Sequence, residues 1–273
     1  MARLTSFDDA RQNSKTAPYG MHQRPIIGSM EKAGGAALIY APSRRAVVMA
    51  WGGAAAFASS LAYFLYAYLV RFGESTAGTG AWRPALTDVA LFSAFALHHS
   101  LFARTPLKAW VGRVASPSLE RSIYTWVASA MFAGVCWWWM PVPGELYRID
   151  GYWRALGWGV QAVGVLLTYL GSRALDVLDL AGVRAALAAQ AGHVPLKTSG
   201  VFSIVRHPLY LGWMLLTFGA PEMTATRAVF AVVSTAYLAL AIPWEERALV
   251  RTFGDEYEAY RRTTRWRMLP GVY

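Results

Sequence analysis

Residues 228–247 read AVFAVVSTAYLALAIPWEER. From Ala228 to Trp244 no charged side chain occurs, and then Glu245, Glu246 and Arg247 follow at once. A helix through this run is apolar on every face, which suits hydrocarbon rather than water. Composition agrees: of 273 residues, 55% are apolar, 14% aromatic and 15% charged, against roughly 25% charged in ordinary soluble domains.

Working outward from 226–244, five further runs are long or apolar enough to enter a bilayer, near 46–70, 85–103, 122–140, 155–175 and 208–222. A crossing needs about 20 residues. The fifth run is short and opens at Pro208, so it is expected to be tilted, broken or only partly spanning. The pattern predicts an all-α fold, a polytopic membrane helix bundle of about six transmembrane helices (range five to seven). Residues 1–45 form a flexible basic leader without an apolar signal core, 46–244 the bundle, and 245–273 a cytoplasmic C-terminal helical element.

Lysine and arginine are distributed unevenly between alternate connecting segments. The leader, 104–121, 173–206 and the tail hold 21 of them, and the opposite set holds five: Arg71, Arg83, Arg148, Arg154 and Arg227. The positive-inside rule then puts both ends of the chain and the 173–207 loop in the cytoplasm. Trp137 to Trp139, Trp153 and Trp158 fall at the outer interface. The net charge of +10 lies in short clusters between apolar runs rather than in one stripe, which argues against nucleic acid.

In the tail, Glu245 and Glu246 are expected to begin a helix that Gly254 ends in a left-handed conformation. Asp255 suits an N-cap with Glu258 three residues on. Tyr257, Tyr260 and Arg261 share one face of the following helix, and Pro270 ends it.

Polar groups at membrane depth are costly, so their positions carry information. The richest cluster is Arg206-His207-Pro208-Leu209-Tyr210-Leu211-Gly212. It combines a planar fork for a carboxylate or phosphate with a titratable imidazole, and Pro208 and Gly212 can open the backbone there. Lipid headgroup anchoring explains Arg206 and His207 equally well at this stage. Glu245 and Glu246 either solvate a helix end or receive a cation. His98, His99 and Ser100 form a third cluster, but adjacent histidines point about 100° apart on a helix, and no Asp, Glu or Cys stands at ligand spacing. No metal site is expected. Cys136, the only cysteine, is expected to be a small buried hydrophobe. Gly157, Gly159 and Gly164 lie within an apolar run, where small residues mark close helix packing.

The segment Arg206-His207-Pro208-x-Tyr210-x-Gly212, then Glu245-Glu246-x-x-Leu249, Phe253-Gly254-x-x-Tyr257-x-x-Tyr260 and Leu269-Pro270, resembles the isoprenylcysteine carboxyl methyltransferase superfamily. These are membrane enzymes that use S-adenosylmethionine. Upstream, His99-Ser100-Leu101-Phe102-Ala103-Arg104, Lys108-x-Trp110 and Pro117-x-x-Glu120-Arg121-Ser122-x-Tyr124 resemble the bacterial methanethiol S-methyltransferase group and its NnrU-like relatives. Ala220-Pro221-x-Met223-Thr224, with Thr235-x-Tyr237 and Ile242-x-x-Glu245-Glu246, does so too. The stretch Leu178 to Arg184 departs from that group's pattern, since Gly182 and Arg184 align while an expected Phe and Gln do not.

The resemblance implies S-adenosylmethionine as cofactor, held by Arg206, His207, Tyr210, Glu245, Glu246 and Tyr257. In it Arg206 takes the donor carboxylate, a Glu takes the ribose or ammonium, and Tyr210 and Tyr257 pack on adenine. His99 is the candidate catalytic base for a thiol acceptor, supported by Glu120 and Arg121. Ala241-Ile242-Pro243-Trp244 carries no basic residue for a carboxylate acceptor, so the implied acceptor is a small hydrophobic one, a thiol such as methanethiol, giving dimethyl sulfide. The implied location is a bacterial inner membrane. Three rivals stay open: the same chemistry on a prenylcysteine, lipid or other thiol; a membrane reductase using NAD(P)H; and a non-enzymatic NnrU-like membrane protein.

Overall fold

The computed structural model describes residues 44–102, 117–174 and 195–273. Seven α-helices account for most of these: α1 (Arg44–Leu69), α2 (Trp82–Phe102), α3 (Pro117–Trp138), α4 (Arg154–Ala174), α5 (Pro208–Phe218), α6 (Ala225–Phe253) and α7 (Asp255–Thr263). Arg44–Gly73, Trp82–Phe102, Gly151–Arg173 and Ala225–Phe253 are long and apolar enough to cross a membrane. α3 is equally long, at 22 residues, but richer in Trp, Ser and Thr. α5 has only 11 residues, about 16 Å of helix against a hydrocarbon core of about 30 Å. The fifth run therefore cannot cross alone. Its last residues, Glu222–Thr224, instead form strand β2, which pairs antiparallel with β1 (Glu145–Arg148).

The chain is thus a polytopic α-helical membrane bundle with one small strand pair at one end and α7 at the other. α1, α3 and α5 all finish at the strand end, and helix C-termini leave carbonyls that hydrocarbon cannot satisfy. Each receives a side-chain donor. Arg227, buried, donates from Nε to the Tyr68 carbonyl at 3.0 Å and from Nη2 to that of Leu69 at 2.7 Å. Arg71 donates to the Cys136 carbonyl at 3.2 Å, and Tyr147 donates its hydroxyl to the carbonyls of Phe218 and Ala220. Arg148 and Arg154 pair with Glu222, and Arg83 lies over the Trp82 ring. All five basic residues of the sparse set are therefore engaged in structure.

The core centres on Phe230, whose ring lies 5.0–6.0 Å from those of Phe64, Tyr68, Phe72, Phe92, Trp139 and Trp213. Trp137, Trp138, Trp153 and Trp158 are exposed, as interfacial anchors should be, but Trp139 is buried against Phe72 and Phe230. Cys136 is wholly buried. Asp88, also buried, accepts the Met140 N–H at 2.9 Å.

Small residues bring α4 and α5 together. A Cβ on Gly212 would stand 2.5 Å from Thr168 Oγ1 and 2.7 Å from the Gly164 carbonyl oxygen, and one on Gly164 would meet the α5 backbone. Gly212 thus serves close packing rather than opening the backbone. Gly157 approaches Gly219 and Pro221, whereas Gly159 faces open space and takes no part.

α6 is continuous through Pro243 to Phe253, so Glu245 and Glu246 lie within a helix and do not begin one. Proline removes the N–H that would reach the carbonyl four residues back, here that of Ala239. The Tyr273 hydroxyl donates to that carbonyl at 3.3 Å. Gly254 has φ of +55° and divides α6 from α7. Asp255 is the first helical residue rather than the cap, and α7 ends at Thr263, before Pro270.

We expect Gly212→Leu to destabilise the protein by about 1–3 kcal/mol or more through overpacking, and Gly159→Leu to be tolerated. Thermal unfolding in detergent checks both; equal melting temperatures for the two variants would contradict the α4–α5 crossing.

Candidate active site

The Arg206–Gly212 segment enters α5 at the end of the bundle where α6 emerges. Pro208 occupies the first turn of α5, where its missing N–H costs nothing. His207 precedes it as the N-cap residue, outside the helical region, and its carbonyl accepts the N–H groups of Tyr210 and Leu211. The tail then lies alongside: Arg206 N–H donates to the Trp266 carbonyl at 2.9 Å and His207 N–H to that of Arg267 at 2.8 Å.

Arg206 and Glu246 form a buried ion pair, Nε to Oε1 at 2.7 Å, each side chain only 5% exposed. Arg206 Nη1 also donates to the carbonyls of Thr264 and Arg265, at 2.7 and 2.8 Å. Around Glu246 stand Arg267 at 3.3 Å and Arg261 at 4.0 Å, with His207 Nε2 at 3.6 Å, beyond hydrogen-bond reach. A carboxylate so surrounded keeps its charge without water. Arg206, proposed by resemblance to take a ligand carboxylate, spends three donor contacts on the protein itself.

The accessible part of the cluster is different. Glu245 is 43% exposed on its side chain. It accepts the Tyr210 hydroxyl at 2.7 Å, and His207 Nδ1 stands 3.5 Å from it. The rings of His207 and Tyr210 stack at 5.3 Å and 14°. His207 Nε2 has no hydrogen-bond partner. Of these groups only the Glu245 carboxylate is exposed, and His207 with its unpartnered Nε2 is buried; together a carboxylate, an aromatic face and an imidazole are chemically suited to a zwitterionic, heteroaromatic ligand.

Tyr257 is wholly buried and meets Tyr260 edge-on at 5.8 Å; in this arrangement it offers no open face to a ligand ring. Tyr260 donates to the Phe202 carbonyl at 2.6 Å. Burial raises both phenol pKa values, that of Tyr260 to about 12, so neither hydroxyl ionises at neutral pH.

His99 lies deeper along the bundle. Its Nδ1 is 2.8 Å from the Tyr124 hydroxyl, and the neighbouring Ser100 Oγ is 3.0 Å from that of Tyr237. Tyr237 precedes Glu245 by two turns of α6, about 12 Å at 1.5 Å per residue. The partner found for His99 is Tyr124; Glu120 and Arg121 sit in the opening turns of α3, a turn before it. Arg104, Lys108, Trp110 and the 178–184 stretch lie outside the described residues. Among the described residues no group of three His, Cys, Asp or Glu could hold a metal ion.

A short helix opened by an Arg-His-Pro turn is clasped here by a Glu-bearing membrane helix. The model of the phospholipid methyltransferase family matches residues 153–256. Methanethiol S-methyltransferase 2 of Bradyrhizobium diazoefficiens is 35% identical over 181 residues, 65% of this chain and 70% of the relative. Methanethiol S-methyltransferase of Crocosphaera subtropica is 36% identical over 182 residues, 65% and 71% of the two chains. Protein-S-isoprenylcysteine O-methyltransferase B of Arabidopsis thaliana is 38% identical over 71 residues, 25% and 36%. No solved structure matches the chain. The chain belongs to the methanethiol S-methyltransferase group of the isoprenylcysteine carboxyl methyltransferase superfamily.

Tyr237 lies in the Thr235-x-Tyr237 match to that group, without a role assigned to it, and sequence alone missed Tyr273. A proline inside an apolar helix signals an orphan carbonyl four residues back, which is the cue that points to a donor such as Tyr273.

Glu246→Gln removes the charge facing Arg206, Arg261 and Arg267. Leaving buried charge uncompensated costs about 3–5 kcal/mol, and we expect the tail to detach first. Trypsin should then cleave between Arg261 and Arg267 at least tenfold faster than in the wild type. An unchanged cleavage rate would mean that the ion pair does not hold the tail.

Proposed function

We propose that the protein uses S-adenosylmethionine to methylate a small thiol, methanethiol, giving dimethyl sulfide. The observation that carries this is the Glu245–Tyr210–His207 cluster, in which Glu245 is exposed, backed by the buried Arg206–Glu246 pair and set about 12 Å along α6 from Tyr237, which meets Ser100 next to the Tyr124–His99 contact. The names of the bacterial relatives support the thiol.

In this reading residues 245–273 complete a cofactor pocket whose polar face is Glu245, Tyr210 and His207. Glu245 suits the ribose hydroxyls or ammonium group, the stacked His207–Tyr210 pair suits adenine, and Arg206 and Glu246 hold those groups in position. Tyr257 supports the pocket from behind. S-adenosylmethionine, when bound, supplies an electrophilic methyl group. The chain positions the acceptor and removes its proton, because thiolate is the nucleophile. His99 is the candidate base: Tyr124 fixes its Nδ1, leaving Nε2 to take the thiol proton, with Glu120 and Arg121 lending charge near the start of α3. A small apolar thiol reaches this depth from the bilayer, and positioning then supplies much of the rate.

Membranes given S-adenosylmethionine and methanethiol should release dimethyl sulfide into the headspace, with a rate that rises with pH as the thiol deprotonates. His99→Ala should lower it by about 10²-fold or more, the usual scale for a lost general base. Methylation of a prenylcysteine or lipid without dimethyl sulfide would overturn the thiol assignment. Calorimetric binding of NADPH in place of S-adenosylmethionine would overturn methyl transfer itself.

We also propose that the α7 end faces the cytoplasm of a bacterial inner membrane, from the 21-to-five asymmetry of basic residues. Impermeant labels at Lys197 and Tyr273 should react only from the cytoplasmic side, and one in the 74–81 stretch only from outside. Labelling of Lys197 and that stretch from the same side would overturn it.

A further inference from the structure

The tail carries more positive charge than the methyl-transfer reading uses. Between α7 and residues 264–273 lies a cleft of about 460 Å³ lined by Arg206, Arg261, Arg262, Arg265 and Arg267, with Glu258 as its only acidic wall. His207, Tyr210 and Glu245 take no part in it.

Charge in the cleft is not balanced. Glu258 pairs with Arg261 at 2.9 Å, and Glu246, behind the wall, pairs with Arg206 at 2.7 Å and faces Arg267 at 3.3 Å. Arg262 is exposed and has no ion pair or hydrogen bond among the described residues, and Arg265 is exposed with its guanidinium 5.1 Å over the Trp266 ring. Two side-chain carboxylates therefore serve five guanidinium groups. Arg261, Arg262 and Arg265 line the same cleft, and like charges gathered there repel.

Several of these cations are also held in place. Arg206 is fixed by two backbone carbonyls, and Arg267 lies 5.1 Å over the Tyr273 ring. The Tyr273 main-chain oxygen in turn accepts three successive N–H groups, from Arg267, Met268 and Leu269. The cleft is thus a pre-shaped concave wall rather than a row of solvated side chains. Guanidinium forks fixed in this way match phosphate oxygens in geometry and charge.

We propose that this cleft binds a phosphate-bearing anion, at a site separate from the one for methyl transfer. Two sources share that chemistry: the headgroup phosphate of an anionic membrane lipid, and free phosphate. The lipid source fits the setting, because α7 caps the end of a membrane bundle and Trp266 with Arg265 presents an amphipathic pair at that level. Arg206, Arg261 and Arg267 each face both the cleft and Glu246. A bound phosphate therefore shares cations with the pair that holds the tail and steadies its docking.

The test uses the full chain in detergent. Native mass spectrometry and thermal unfolding are run with dioctanoyl phosphatidylglycerol, with dioctanoylglycerol lacking the phosphate, and with inorganic phosphate at matched ionic strength. Saturable binding of phosphatidylglycerol and a raised melting temperature are expected, with no effect of dioctanoylglycerol. Arg262→Gln/Arg265→Gln should weaken that binding at least tenfold at an unchanged ligand-free melting temperature, while Arg262→Lys/Arg265→Lys keeps part of it. Inorganic phosphate binding as tightly as the lipid would support the site and assign it to free phosphate. Equal binding of dioctanoylglycerol, undiminished binding by the Gln variant, or competitive displacement by S-adenosylhomocysteine would each overturn the proposal.

Discussion

The Arg206–Glu246 pair stands where three separate pieces of chain meet: the turn into α5, the emerging end of α6 and the returning tail. Taking two opposite charges out of water gives little net stability, and an apolar pair of similar volume often does as well. Its value here is directional. Arg206 can satisfy Glu246 and the carbonyls of Thr264 and Arg265 at once only if the tail lies in one place. That single placement brings Arg267 to Glu246 and hydrogen-bonds Arg206 and His207 to the tail backbone. It also leaves Glu245, one residue away on the same helix, pointing at Tyr210 and outward. Adjacent carboxylates thus take different tasks because successive residues of a helix point about 100° apart.

The opposite end of the bundle answers a different demand. Three helices stop there, and their last carbonyls have no water to turn to in hydrocarbon. Arg227, Arg71 and Tyr147 supply the donors, and each comes from a different element, so the caps also tie those elements together. The strand pair continues the same logic, giving the backbone between α3 and α4 and that between α5 and α6 a mutual ladder. α5 can stop short only because Tyr147 and this ladder receive its end.

The helical spans were legible because apolar run length is a direct physical requirement, and five of six helices start and stop within a few residues of the runs. The gathering of Arg206, His207, Tyr210, Glu245 and Glu246 followed from motif resemblance, not from spacing. What sequence hid were the partnerships. That Arg206 meets Glu246 rather than solvent, that Tyr257 is buried, and that His99 meets Tyr124 depend on how helices distant in sequence pack. The helix break expected at Glu245 failed for a related reason: Pro243 ordinarily interrupts a helix, but the Tyr273 hydroxyl, thirty-four residues beyond Ala239, satisfies the carbonyl it leaves open.

That last contact gives α6 its role as the frame of the site. A helix of 29 residues spans about 43 Å, more than the hydrocarbon thickness, so one rigid rod carries Phe230 in the aromatic core, Tyr237 beside Ser100, and Glu245 and Glu246 at the polar end. Pro243 lies between Tyr237 and the glutamates, where a kink would change the distance between the two polar groups. Tyr273 bonds to Ala239 at the level of that proline, and its ring also lies beneath Arg267, which faces Glu246. The tail and the proline-containing stretch of α6 are therefore joined through one side chain. Without that contact the Ala239 carbonyl, which Pro243 cannot serve, would lose its donor.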